Sequence, residues 1–188
     1  RFNLMCMEKL KKIFETTESK IEFDYDLKKK NWFNIGGKTK IFFTANSLKD
    51  LILFLKNISS KEKIYVLGAG SNTLITDETF NGIVIKLGKN FSRISLLPNN
   101  VVVAGSSVLD KNLALFAADN NLSGFEFLYC IPGTVDGGIK MNAGCFNNEF
   151  KDILISIQAI DKAGKVQTIP SEKILFKYRN NNLSEDLI

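Results

Sequence analysis

The segment from Ile131 to Cys145 constrains the fold of this chain more than any other. It places four glycines and one proline within fifteen residues, and apolar residues separate them. Glycine is used where the backbone turns with positive φ or approaches another group closely. Because the intervening residues are apolar, we expect packed main chain, which presents N–H groups to an anionic or planar ligand. A second glycine turn, Gly68–Asn72, precedes it by some sixty residues.

Composition restricts the kind of protein. A chain of 188 residues with 45% hydrophobic and 24% charged residues suits one large domain or two small lobes. The net charge of +5 comes from scattered lysines, so the sequence predicts no nucleic-acid partner. It also contains no apolar run long enough to span a membrane, so no membrane partner is expected.

Histidine and cysteine usage narrows the chemistry further. The chain has no histidine, which excludes histidine acid–base catalysis, histidine metal ligands and histidine-linked cofactors within it. The three cysteines, Cys6, Cys130 and Cys145, fit neither a disulfide framework nor a zinc site. They are typical of reduced cysteines in a cytoplasmic protein, and we expect no metal.

Hydrophobic periodicity predicts an α+β chain. The predicted helices cover 5–14, 48–57 and 109–119, and a short helix begins at Pro170. The predicted strands cover 41–44, 64–67, 83–87 and 101–104, followed by a hairpin of 153–160 and 166–169. This order is not a regular βαβ array, and it favours two small lobes with a boundary between 87 and 100.

The turn after the strand at 64–67 has the composition of a phosphate-binding loop. Gly68 and Gly70 are followed by Ser71, Asn72 and Thr73, whose side chains and N–H groups could donate to a diphosphate. The third glycine of the dinucleotide-binding fingerprint is missing, and so is the Gly-Lys-Ser/Thr of a triphosphatase loop. Taken alone, a plain tight turn explains the loop equally well.

Five motifs in a fixed order carry a family resemblance across about 31–179. The series resembles the bacterial UDP-N-acetylenolpyruvoylglucosamine reductases of peptidoglycan synthesis and consists of Trp32–Gly37, Leu67–Leu74, Gly124–Leu128, Ile131–Val135 and Lys140–Gly144. The resemblance implies the two-lobed α+β fold that binds FAD in vanillyl-alcohol oxidase and p-cresol methylhydroxylase. We expect a lead-in at 1–30, one lobe at 31–95 and a second lobe at 96–188.

The resemblance also implies a set of cofactor-binding residues. The diphosphate loop would comprise Leu67, Gly68, Ala69, Gly70, Ser71, Asn72, Thr73 and Leu74. The wall beside the flavin ring and diphosphate would comprise Pro132, Gly133, Thr134, Val135, Gly137, Gly138, Asn142, Ala143 and Gly144. For Asn142, a turn-capping role is the alternative.

Tyr178 and Arg179 match the Tyr-Arg pair of the same family. The resemblance implies that both bind the UDP-sugar and that Arg179 lies beside its enolpyruvyl carboxylate as a catalytic cation. It implies NADPH as reductant and reduction of UDP-N-acetylglucosamine enolpyruvate to UDP-N-acetylmuramate. A surface arginine that caps a helix end is the alternative for Arg179.

Three departures from the family pattern change what we expect of FAD binding and catalysis. Asp136 and Asn147 stand where glycine is usual, and a carboxylate beside a diphosphate predicts weakened FAD binding. The chain ends at Ile188, about a hundred residues before the family's third, substrate-binding domain ends. We therefore expect a flavin-binding part that is incomplete for catalysis, completed by a separately encoded domain or left as an inactive fragment. Another flavin oxidase of the same fold is a further alternative.

Overall fold

A four-stranded sheet forms the centre of the first half of the chain. The computed structural model describes residues 4–188. The strands are β1 (Lys20–Asp26), β2 (Lys38–Ala45), β3 (Ile64–Val66) and β4 (Phe80–Leu87), in the spatial order β1-β2-β4-β3. β1 is antiparallel to β2, whereas β2 and β3 are both parallel to β4. The parallel strands β3 and β4 therefore run in the same direction as β2, and the loop after β3 emerges at their carboxyl ends.

Two helices cover one face of this sheet. They are α1 (Leu4–Phe14) and α2 (Leu48–Asn57), and both agree with the sequence prediction. Their aromatic side chains meet the sheet: the rings of Phe43 and Phe54 stack with centroids 3.9 Å apart, and Phe14 packs edge-on against both. Stacked and edge-on pairs of this kind add to the free energy of burying large apolar surfaces.

The start of α2 is fixed by two side chains. Ser47 caps it by accepting the Asp50 N–H at 3.0 Å, as its sequence spacing predicts. The Asp50 carboxylate does not complete a capping box. It accepts the Ser19 hydroxyl at 2.6 Å instead, and this bond ties the helix to the segment before β1.

Strand β1 lies in the lead-in at 1–30, a charged part of the chain for which the sequence predicts no strand. Every second residue of it points inward, and Ile21 and Phe23 pack against the first core. The apolar positions alternate with charged ones at period two, which is the pattern of an edge strand with one solvated face. The lysines and acidic residues around the strand made this two-residue repeat hard to detect in the sequence.

A second core is built from the middle of the chain. It contains the hairpin β5 (Ile94–Leu97) and β6 (Val101–Ala104), and the helices α3 (Asp110–Asp119), α4 (Val135–Lys140) and α5 (Phe150–Ile153). The short hairpin β7 (Gly144–Cys145) and β8 (Asn148–Glu149) joins α4 to α5. Phe127, from a 3-10 turn, meets Phe150 edge-on inside this core.

The last part of the chain returns to the first core. β9 (Ser156–Ile160) and β10 (Val166–Pro170) form the predicted hairpin, which begins after Ile153 because that residue ends α5. A smaller hairpin follows, β11 (Phe176–Lys177) and β12 (Asn180–Asn181). Ile160 belongs to the predicted second lobe, but its side chain is buried against the first core. The division into lobes at 95/96 stays a prediction.

None of the helices in the described range 4–188 is long and apolar enough to cross a membrane. Cys130 and Cys145 are free thiols, whereas the Cys6 side chain lies outside the described part of the chain.

Candidate flavin site

The loop after β3 presents unused main-chain donors. Leu67 is buried and still donates its N–H to Ile85 of the sheet, so the free loop begins at Gly68. Within residues 4–188, no hydrogen-bond acceptor is found for the N–H groups from Gly68 to Asn72. Five successive N–H groups without a partner, at the end of a parallel strand, are available to bind an anion. This is the arrangement that the sequence predicted for a diphosphate loop.

The glycine-rich segment contains a helix, which the sequence did not predict. Gly137 and Gly138 lie inside α4, and none of the segment's four glycines has positive φ. Close approach explains Gly138 instead, because a Cβ there would meet the ring of Phe150. The first-turn N–H groups are also occupied, since Val135 donates to Val108 and Asp136 to Ser106. The expectation that this segment offers many free donors is therefore corrected: most of the unpaired N–H groups belong to the loop 68–72.

The two glycine turns lie against each other. A Cβ on Gly68 would meet the Thr134 hydroxyl and would lie 3.1 Å from Asp136 Oδ1. Farther along the loop, the Ser71 hydroxyl donates a short hydrogen bond to the Pro132 carbonyl. The structure thus brings together two segments that are connected in the sequence only by the family's motif series.

A cleft of about 300 Å³ opens between them. Its wall includes three of the predicted site residues from the loop, Leu67, Gly68 and Ala69, and Thr134 from the glycine segment. The remaining lining comes from the end of β4 and the turn after it, from the turn before α3 and from α4, namely Lys86, Leu87, Gly88, Lys89, Ser92, Ser107, Leu109 and Asp136.

Lys86 is the site residue that sequence reasoning missed. Its ammonium group donates to the Gly68 carbonyl at 2.6 Å, which places a cation at the start of the loop. Burial, with the positive charge of Lys30, lowers the pKa of Lys86, while Asp136 acts in the opposite direction. The available signal was a lysine near the end of an otherwise apolar strand, Ile83–Leu87.

Two carboxyl groups lie under the same wall. Asp110, in the first turn of α3, is fully buried, and neither of its oxygens has a hydrogen-bond partner in the described chain. Burial raises the pKa of Asp110 to about 7, and the charge of Asp136 adds to the effect. Burial also raises the pKa of Asp136, although the Thr134 hydroxyl, the Gly137 N–H and the charge of Lys86 oppose the change.

The side chain of Asn142 is used inside the protein. Asn142 is fully buried with φ of +42°, and its amide donates to Glu149 at 3.0 Å and to the Lys177 carbonyl at 3.2 Å. Its Oδ1 accepts the Lys151 N–H at 3.1 Å. These contacts match the turn-capping alternative and connect three segments of the second half. A role in the cofactor wall for Asn142, Ala143 and Gly144 stays a prediction.

Tyr178 and Arg179 form the two-residue tip between β11 and β12. The tip is a hairpin rather than a helix end, because Lys177 pairs with Asn180 across it. Arg179 donates to the Gly144 carbonyl at 3.0 Å, and its guanidinium lies 5.4 Å from the Tyr178 ring. The pair is therefore held against the end of the glycine-rich segment with the aromatic ring 82% exposed.

A second hairpin tip stands beside this pair. Phe146 and Asn147 connect β7 to β8 with φ of +52° and +63°, the signs that a type I′ turn requires. Asparagine tolerates this conformation, so Asn147 replaces the family's glycine without a backbone conflict. Phe146 does not tolerate it as well, and it is 74% exposed.

Replacing Phe146 with asparagine is expected to stabilise the protein. The substitution removes an aromatic residue from left-handed backbone and loses little packing, so we expect a gain of about 0.5–1 kcal/mol in the free energy of unfolding. Urea denaturation of both chains measures it. An equal loss of stability would show that the ring packs better than its exposure indicates.

The comparisons with known proteins agree with this geometry. The model of the FAD binding domain family matches residues 39–170. UDP-N-acetylenolpyruvoylglucosamine reductase of Pelagibacter ubique (strain HTCC1062) is 66% identical over 98% of this chain and 61% of its own length. The reductase of Rickettsia akari (strain Hartford) is 48% identical over 94% of this chain and 59% of its own. The chain thus spans about three fifths of these curated relatives.

Solved structures show the same fold. The crystal structure of the Thermus caldophilus UDP-N-acetylenolpyruvylglucosamine reductase superposes with a TM-score of 0.76 at 29% identity, over 91% of this chain and 59% of that one. The 6-hydroxy-D-nicotine oxidase of Arthrobacter nicotinovorans shares the fold at 15% identity, with a TM-score of 0.60 over 83% of this chain and 36% of that one. The predicted α+β fold of the vanillyl-alcohol oxidase type is confirmed. The chain belongs to the FAD-binding domain family.

Proposed function

We propose that this chain binds FAD as the flavin-binding part of a UDP-N-acetylenolpyruvoylglucosamine reductase. The 66% identity to the Pelagibacter ubique enzyme over nearly the whole chain supports this activity above others of the same fold. The reaction would be the NADPH-using reduction of UDP-N-acetylglucosamine enolpyruvate to UDP-N-acetylmuramate, for peptidoglycan synthesis in the cytoplasm. The single observation that carries cofactor binding is the run of five free N–H groups from Gly68 to Asn72.

The residues present fit the diphosphate part of FAD. The free donors can bind an anion, Lys86 adds a positive charge at Gly68, and the Thr134 side chain lines the cleft beside them. When bound, FAD supplies the hydride-transfer chemistry.

Arg179 would serve the substrate. Its guanidinium is fixed by the Gly144 carbonyl and lies close to the Tyr178 ring, so a planar positive charge is held at the edge of the glycine-rich segment. A planar cation suits a carboxylate on which negative charge builds up during reduction. We propose that the groups completing the UDP-sugar site belong to the further segment that the relatives possess.

One observation favours a second candidate function. The carboxylate of Asp136 lies beside Gly68, where it opposes an anionic cofactor. The alternative is a partner-dependent or inactive fragment that binds FAD weakly.

Complementation separates the two candidates. The chain would be mixed with the remaining segment of the Pelagibacter ubique relative, and NADPH oxidation followed with and without the UDP-sugar. Oxidation that requires both polypeptides and the substrate supports the reductase. Its absence, when the full-length relative is active in the same assay, supports the inactive fragment.

A further inference from the structure

Asp136 places a negative charge at the loop that offers the free donors. It lies in the first turn of α4 and lines the cleft together with Gly68 and Thr134. Its Oδ1 accepts the Gly137 N–H at 2.7 Å, which orients the carboxylate toward the position where a Cβ of Gly68 would stand. An anion bound by the loop would therefore have this carboxylate as a neighbour.

The charge of Asp136 is not cancelled by a direct partner. The ion pairs found within residues 4–188 are Lys151–Glu149 and Lys162–Asp186, and neither involves the cleft. The charged groups around Asp136 are Lys86, which is committed to the Gly68 carbonyl, Lys89 on the cleft wall, and Asp110 beneath it. Lys86 in turn faces Lys30.

We propose that Asp136 is a built-in competing anion that limits the affinity of this site for diphosphate-containing flavins. The inference rests on the proposed FAD binding. A bound diphosphate carries two negative charges and would compete with the carboxylate for the field of Lys86. At the effective dielectric of a partly buried site, one unit charge within several ångströms changes affinity by about tenfold or more.

Neutralising the carboxylate should therefore strengthen binding. Burial raises the pKa of Asp136 above its ordinary value. Asp110 lies beneath the same wall with a pKa of about 7, so it loses its negative charge as the pH falls through that value. FAD affinity is expected to rise as pH falls from 8 to 6.

The test compares flavins that differ in phosphate content. FAD and riboflavin are titrated, by quenching of flavin fluorescence, into the wild-type chain and into the Asp136→Asn and Asp136→Glu variants. Asp136→Asn is expected to bind FAD about tenfold more tightly at pH 8, whereas Asp136→Glu, which keeps the charge, gains nothing. Riboflavin has no phosphate, so its affinity should change by less than about twofold or stay undetectable in all three chains.

A net-charge control completes the design. Glu172→Gln removes one negative charge from an exposed residue outside the cleft lining, and it should leave FAD affinity at the wild-type value. Equal FAD affinity of wild type and Asp136→Asn, or an equal gain for riboflavin, would overturn the inference while leaving the flavin function intact. If neither chain binds FAD at any pH, the proposed function itself is contradicted.

Discussion

A Gly70→Ala chain is expected to fold and to lose FAD affinity by about 100-fold. Gly70 has φ of +70°, and a Cβ there would stand 2.9 Å from Asn31 Cα and still closer to the Lys30 carbonyl. The opposing turn cannot move away easily, because Asn31 donates to the Leu27 and Ile35 carbonyls at 3.2 and 2.7 Å. The loop must shift instead, and its free N–H groups leave the positions that they hold after β3.

The matched control is Gly164→Ala in the turn between β9 and β10. Gly164 also has positive φ, +81°, but the nearest atom to its Cβ would be Ile52 Cγ2 at 3.4 Å. This variant should lose about 1 kcal/mol of stability from backbone strain and keep full flavin affinity. Fluorescence titration and urea denaturation of both variants separate the effects. Wild-type FAD affinity in Gly70→Ala would refute the role of the loop.

Asp110→Asn is expected to stabilise the flavin-free protein at pH 8 by about 2–4 kcal/mol. The folded carboxyl has a pKa of about 7 because it is buried without a partner, against 3.8 for the ordinary group. Between these two values the folded state binds more protons than the unfolded state, so the stability contributed by the protonated carboxyl is present below about pH 4. It is lost as the pH rises through 7.

In the Asp110→Asn variant the side chain cannot ionise, so the variant does not lose this stability as the pH rises through 7. The difference in unfolding free energy between the variant and the wild type should grow from pH 5 to pH 8 by about 2 kcal/mol or more. Asp119→Asn, at the exposed end of the same helix, serves as the control for the removal of one carboxylate. A constant difference for Asp110→Asn across this range would mean that the carboxyl is paired or solvated.

The sequence predicted which two segments lie at the site, but it did not predict which of their N–H groups are free. Gly68–Asn72 was expected to offer donors, and it does, because a strand that ends in small residues leaves its next N–H groups without partners. The segment 131–145 was expected to do the same, but Val135–Lys140 forms a helix that uses its own N–H groups. Gly137 and Gly138 weaken the helix signal, and only the approach of Phe150 explains why one of them is glycine.

Charged residues account for most of what the sequence did not reveal. Lys86 and Asp110 are ordinary in a local window, a lysine in a strand and an acid at a helix start. Lys86 acts through its position beside Gly68, and Asp110 is buried beside Gly133. In each pair the two residues are far apart in the sequence. Strand β1 was missed for a related reason, since the charges between Ile21, Phe23 and Tyr25 suggested a solvated segment.

Equilibrium binding of FAD to the purified chain tests the central claim most directly. The chain would be titrated with FAD at pH 6 and pH 8 and its visible absorbance and flavin fluorescence recorded, with Gly70→Ala as the negative control. The geometry of the loop predicts saturable binding of one FAD per chain, tighter at pH 6, and lost in Gly70→Ala. Absence of saturable binding at both pH values in a folded chain would contradict the assignment of the cleft as a flavin site.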